Sequence, residues 1–174
     1  MFLTKTYGIE DCKFADDMTA SSNKFTITGT VQYNEHNTNG WKYGAVDGLL
    51  WIDINNFILT EGANIEFTPT ESYSGSTGNY APIMVYFENA SQSRVYFVQA
   101  NTFIQMNSST KTNHNINLGT EHRIEYTGNT LKFYLGDTLV GSASHSLGTS
   151  NIKVRLASGG NRYCRLKNFK IKPL

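Results

Sequence analysis

Proline occurs only three times in the 174 residues and cysteine only twice, and no apolar run is long enough to span a bilayer as a helix. No long stretch repeats its apolar residues at the period of an amphipathic helix. An excess of one charge is missing too: 15 basic residues stand against 14 acidic ones, for a formal net charge of +1. Nucleic-acid and membrane-surface binding both rely on a concentrated positive field, so neither partner is expected, nor is membrane insertion. Met1-Phe2-Leu3-Thr4 has no basic region, apolar core or cleavage site, so no signal peptide is read there. Cys12 and Cys164 are too far apart in sequence for a metal-ligand pattern. His36, His114, His122 and His145 are scattered over four segments and suggest neither a zinc site nor a triad.

Small polar residues and aromatics fill the space. Asn, Thr, Ser and Gly make up more than a third of the chain, and Phe, Trp and Tyr make up 13%. That mixture fits an all-β sandwich with turn-rich loops, and it holds too many aromatic and β-branched residues for disorder. The length fits one domain over 1–174, with 1–6 as a flexible N-terminal extension.

Alternation marks the strands. Tyr7–Phe14 reads as the first. Lys24–Tyr33 reads as one strand, with Phe25, Ile27, Val31 and Tyr33 on one face and Thr26, Thr28, Thr30 and Gln32 on the other. Asn34–Gly40 reads as a polar loop that delivers Trp41 and Tyr43. Gly48–Ile54 puts Leu50, Ile52 and Ile54 on one face and Leu49, Trp51 and Asp53 on the other. Short strands follow at Phe57–Thr60 and Asn64–Thr68, then a long loop over Thr70–Tyr80. Pro82–Asn89 and Ser93–Ala100 read as a hairpin across Ala90–Gln92, with Val85, Phe87, Val95 and Phe97 inward and Tyr86, Glu88, Arg94 and Tyr96 opposite. Asn107–Asn117 is a second long loop. Asn151–Ser158 turns Ile152, Val154 and Leu156 inward. The last strand changes phase between Leu166 and Phe169, which predicts a β-bulge near Lys167-Asn168.

The organising stretch is Glu121–Ser142, EHRIEYTGNTLKFYLGDTLVGS, which reads as three antiparallel strands joined at Gly128-Asn129 and Gly136-Asp137. A Gly first in each two-residue loop predicts type II′ turns. Its pattern R-I-E-Y-x-G-N-x-L-K-F-Y-L-G-x-x-L-V resembles the back-sheet meander of the concanavalin A-like (laminin-G-like) jelly-roll superfamily, with Y-L-G-D where Y-x-D-G is common. Tyr163–Lys172, YCRLKNFKIK, resembles that superfamily's closing strand. The resemblance spans about Tyr7 to Lys172 and implies a two-sheet antiparallel β-sandwich. It implies no single substrate, because the superfamily holds lectins, carbohydrate-binding modules, glycanases, polysaccharide lyases and virus or phage tail modules. First and last strands are usually neighbours in such a jelly roll, so Cys12 and Cys164 could meet in a disulfide; two buried free thiols are the alternative. Relatives often carry calcium, and Asp47, Asp53, Asn55 and Asn56 are dense enough to be weak candidates for it. Asn and Asp also favour turns for backbone reasons, and no other cofactor is expected.

The strongest constellation is the polar face of the middle strands: Trp51, Asp53, Tyr86, Glu88, Arg94 and Tyr96, with Trp41 and Tyr43 at its rim. Sugar rings pack their apolar C–H patches on aromatic faces, and their hydroxyls pair with Asp, Glu and Arg. A retaining β-glucanase of this superfamily needs E-x-D-x-x-E on one strand. Here Trp51 and Asn56 stand where the two Glu would be, and only Asp53 matches. For a lyase, Arg94, Tyr96 and Gln99 are present without the full motifs; Arg123-Ile124-Glu125-Tyr126 is a fragment of one. Arg162, Arg165, Lys167, Lys170 and Lys172 read as a solvated outer face of the last strand.

The expectation is therefore a non-enzymatic, lectin-like module that recognises a glycan or cell-wall polymer. It would sit outside the cell, on its surface or on a virion, in an adhesin-like, glycan-degrading or phage-tail protein. The alternatives are an assembly module of a virion or surface fibre, with the aromatic face buried in a homo-oligomer, and a polysaccharide lyase.

Overall fold

A computed structural model describes residues 12–73, 82–89, 94–100, 103–106, 110–112 and 118–174, and residues 94–112 through their backbone. The expected N-terminal extension, most of the expected first strand, the Ala90–Gln92 turn and most of the two long loops fall outside these residues. The described chain forms two antiparallel sheets. The first runs β13 (Thr138–Ser144), β12 (Thr130–Leu135), β11 (His122–Tyr126), β6 (Ala63–Tyr73), β15 (Tyr163–Pro173), β4 (Gly40–Ala45) and β3 (Val31–Asn37), with β1 (Phe14–Asp16) also paired to β15. The second runs β10 (Thr110–Thr112), β9 (Phe103–Met106), β8 (Arg94–Ala100), β7 (Ile83–Glu88), β14 (Lys153–Gly159), β5 (Leu49–Ile54) and β2 (Phe25–Thr28).

The alternation read from the sequence decides what lies between the sheets. Leu50, Ile52, Ile54, Ile83, Val85, Phe87, Val154 and Leu156 are buried against Ile65, Phe67, Ile124, Leu131, Phe133, Phe169 and Ile171. Fully burying such a side chain contributes roughly 1.5–3 kcal/mol, so this layer holds the sandwich together. The meander forms as expected, with its third strand extended to Ser144. Gly136 has φ 55 and Asp137 does not follow it into the left-handed region, as a type II′ turn requires. Gly128 keeps a negative φ, so the other expected type II′ turn is absent; Gly148 N–H and His145 N–H instead tie the Gly128-Asn129 carbonyls to the following loop.

Several boundaries differ from the sequence reading. Lys24–Tyr33 is two strands in different sheets. Gly29 has φ 118, and the chain crosses there from β2 to β3. Asn34–Asn37 belongs to β3 rather than to a loop, Thr70–Tyr73 extends β6, and the expected strand at Phe57–Thr60 reduces to one bridge, Leu59 to Ile152. The expected bulge is present: β15 slips register against β6 between Lys167 and Lys170, and Asn168 takes φ 56.

The final strand is central, between β6 and β4; Lys167, Lys170 and Lys172 stay part-exposed on it, and the expected solvated face fails at the two arginines. Arg162 and Arg165 are buried. Arg165 donates to Glu71 at 3.1 Å and lies 3.6 Å from Glu35, while Lys172 meets the buried Glu66 at 2.6 Å. The disulfide is also excluded. β1 and β15 are neighbours, but Phe14 pairs with Ile171, which sets Cys12 beside the far end of β15 from Cys164. About nine residues at roughly 3.3 Å each separate them, whereas a disulfide needs Cα atoms within about 7 Å. Both thiols are free.

Candidate functional site

Three strands of the second sheet build the site on the face turned away from the core. β5 contributes Trp51 and Asp53, and β7 contributes Met84, Tyr86 and Glu88. Between them β14 alternates Val154 and Leu156 inward with Lys153 and Arg155 outward. The register puts Arg155 opposite Asp53 on one side and Tyr86 on the other. The β8 backbone continues the row, with Tyr96 opposite Tyr86 and Arg94 opposite Glu88.

Arg155 is the hub, and the sequence reading did not single it out. Its guanidinium lies 4.2 Å from the centre of the Trp51 ring. Its Nε approaches Asp53 Oδ1 at 2.6 Å as an ion pair outside hydrogen-bond geometry, while Nη2 donates to Asp53 Oδ2 at 3.4 Å. On the other side Nη1 is 3.5 Å from Glu88 Oε2. Lys153 reaches Asp53 at 2.8 Å. Tyr86 meets Trp51 edge to face, with ring centres 4.7 Å apart. Tyr86 is itself buried with Met84 and Ala157, and the part-exposed Leu49 and Trp51 pack against them. This is a second, small apolar layer outside the main core. The arrangement is a composite surface: a part-exposed indole with a guanidinium beside its ring and a buried phenol packed against it, bordered by two carboxylates and an ammonium. Such a surface accepts C–H faces on its rings and hydroxyls on its charged rim.

Of the eight residues predicted for this face, Trp51, Asp53, Tyr86 and Glu88 are brought together, and Arg94 and Tyr96 hold the matching backbone positions. Trp41 and Tyr43 are not at its rim. They sit on β4 in the other sheet and point into the core, where Trp41 is 2% exposed and Tyr43 is fully buried. The reason is the β2–β3 crossing: the residues read as a loop form a strand, which pairs with β4 and turns both aromatics inward. Burial pushes the Tyr43 hydroxyl well above its ordinary value, and the same cause raises the Cys164 thiol beside it.

The weak calcium candidates are otherwise engaged. Asp53 serves Arg155 and Lys153, Asp47 accepts from Gly48 N–H, and Asn55 accepts from Thr26 and donates to Asn23. Asn56 is a turn residue with φ 56. Among the described residues no group of three or more His, Cys, Asp or Glu could hold a metal ion.

A second aromatic group went unread, on the outer face of the first sheet. Lys42 sits between the rings of Tyr33 and Tyr163, at 4.3 and 4.0 Å, and Tyr73 stacks on Tyr163 at 5.5 Å. Glu71 pairs with Lys42 at 3.2 Å. These residues come from four strands, and no spacing in the sequence announces the group.

No family model matches the sequence, and no curated protein matches it. Solved structures do match the fold. A Crh5 transglycosylase in complex with NAG superposes with a TM-score of 0.64 at 10% identity, over 92% of this chain and 83% of the other. The carbohydrate-binding module CBM66 from Bacillus subtilis gives 0.56 at 13%, over 86% and 95%. The winged bean acidic lectin complexed with methyl-α-D-galactose gives 0.59 at 10%, over 91% and 96%. At such identities the likeness is one of fold. The chain is an all-β, concanavalin A-like jelly roll, of the kind shared by lectins, glucanases and carbohydrate-binding modules.

Proposed function

We propose that the chain is a carbohydrate-binding module, and that the outer face of its second sheet is the binding surface. The observation that carries this reading is the Trp51–Tyr86 pair, set edge to face at 4.7 Å with Arg155, Asp53 and Glu88 around it. A pyranose would lay its C–H face on the part-exposed Trp51 indole, which the buried Tyr86 supports, and direct its hydroxyls to the carboxylates and to Lys153. The fold supports the reading, since lectins and a carbohydrate-binding module share it.

Binding without catalysis fits the charges. Glycoside hydrolysis divides two carboxyl groups into a proton donor and a nucleophile or base. Asp53 and Glu88 are instead tied to the same guanidinium, an arrangement that gives neither a distinct role. A face of this kind binds weakly alone and gains by repetition, which suits an exposed part of a larger surface, virion or glycan-degrading assembly. A glycan array run on the wild type and on Trp51→Ala, with a melting curve for each, tests the reading. Loss of a wild-type signal with an unchanged melting temperature supports it. A wild type that binds nothing, with a variant that melts several degrees lower, makes Trp51 a packing residue and overturns it.

A further inference from the structure

We infer that the chain has a second ligand site, at the mouth of the sandwich, that takes a single small polyhydroxylated ring such as a terminal sugar residue. The site is independent of the Trp51 face. Where the chain crosses from β2 to β3, the two sheets part and leave a cavity of about 200 Å³ lined by Ser21, Ser22, Phe25, Ile27, Asn34, His36 and Trp41. Phe25 and Ile27 pack against the core yet stay part-exposed, and both line the cavity. They form an apolar wall with the edge of Trp41, whose ring centre is 5.3 Å from that of Phe25.

The polar side of the cavity is arranged rather than random. Trp41 Nε1–H donates to Asn34 Oδ1 at 2.8 Å, which fixes the Asn34 amide and leaves its NH2 as a donor. His36 stacks on Trp41 at 5.1 Å and 15°. Its Nδ1 lies 3.3 Å from the Met18 carbonyl, which can only accept, so Nδ1 is the donor there, and in the neutral ring Nε2 is an acceptor. Ser21 and Ser22 add hydroxyls at the entrance. An apolar wall facing one amide donor, one imidazole acceptor and two hydroxyls suits a ring with one C–H face and several hydroxyls. Size narrows the choice: about 200 Å³ is below the roughly 300–1,000 Å³ of sites for drug-sized ligands, so a single ring fits and an oligomer enters only by its end. No charged side chain lines the cavity, which points to a neutral ligand.

The chain has two tryptophans, one in each candidate site, so their indole N–H signals report the sites separately in a ¹H–¹⁵N spectrum. The probes are glucose, galactose, fructose and N-acetylglucosamine, each titrated into the high-millimolar range. The expected result is a saturable shift of the Trp41 indole with at least one probe. It should be lost in Ser21→Leu, which plugs the entrance from an exposed position, and weakened several-fold in His36→Ala, with a dispersed spectrum retained in both. No Trp41 shift with any of the four probes overturns the site, and so does a shift that keeps its midpoint in Ser21→Leu. A Trp51 shift alone would leave the proposed function standing and remove this second site, whereas a Trp41 shift alone would do the reverse.

Discussion

Acid should weaken this fold through one buried imidazole. His122 points from β11 into the core between Phe67 and Phe133, with ring centres 5.6 and 5.5 Å away. Its Nδ1 is 2.9 Å from the Thr120 carbonyl, and its Nε2 is buried with no hydrogen-bond partner. A proton on Nε2 would be a charge in an apolar layer, so desolvation holds the group down at about 4, against 6.5 in the unfolded chain. The unfolded state therefore takes up a proton near 6.5 and the folded state does not until about 4. Stability is complete above that window, falls through it, and levels off below. The gap amounts to about 3 kcal/mol. His145, also held down by burial, adds to the slope, so the assay needs a subtraction. Urea unfolding of the wild type and of His122→Phe should be measured at about pH 7.5, 5.5 and 4. The Phe variant keeps a ring between Phe67 and Phe133 and cannot be protonated. The two proteins should diverge on acidification, with the variant ahead by about 3 kcal/mol at the lowest pH relative to neutral pH. A difference between them that stays constant across the window would refute the reasoning.

Three further outcomes follow from the geometry. Gly29→Ala should destabilise by about 1–3 kcal/mol in chemical denaturation, because the position holds φ 118 and a Cβ there would lie 2.6 Å from the Leu49 carbonyl oxygen. Arg155→Ala should cost about 1–3 kcal/mol in the same assay and abolish any glycan signal, since it strips the shared partner from Asp53 and Glu88 and the plane from Trp51. A thiol reagent should titrate Cys12 in the native protein and reach Cys164 only in denaturant, and a reductant should leave the melting temperature unchanged.

The strands that could be read were those with one wet face and one dry face. Leu50, Ile52 and Ile54 against Trp51 and Asp53 is such a case, and so is the bulge in β15, where two apolar pairs of opposite parity allowed no other solution. Alternation states that two faces differ; it does not state which sheet a strand joins. Lys24–Tyr33 alternates in sequence across Gly29, yet the chain changes sheets there: Phe25 and Ile27 face the core, Val31 is exposed and Tyr33 joins the outer face, and the fates of Trp41 and Tyr43 changed with it. Charged residues were the other blind spot. Arg165 is buried because Glu71 and Glu35 meet it from strands far away in sequence, and such partners leave no local mark. Arg155 is hidden for a simpler reason: in Lys153–Leu156 the apolar alternation marks the inward residues, while the outward ones, which carry the chemistry, follow no pattern of their own.

Placing β15 between β4 and β6 has a consequence for how the chain is made. During synthesis at about 5–20 residues per second, β4 and β6 emerge long before Tyr163–Pro173 and have no strand to join them. Two open edges, one of them 11 residues long, must wait exposed on the ribosome for the strand that seals both at once. The first sheet can be completed only after that strand has emerged, and the open edges of β4 and β6 are where a neighbouring nascent chain would pair by mistake.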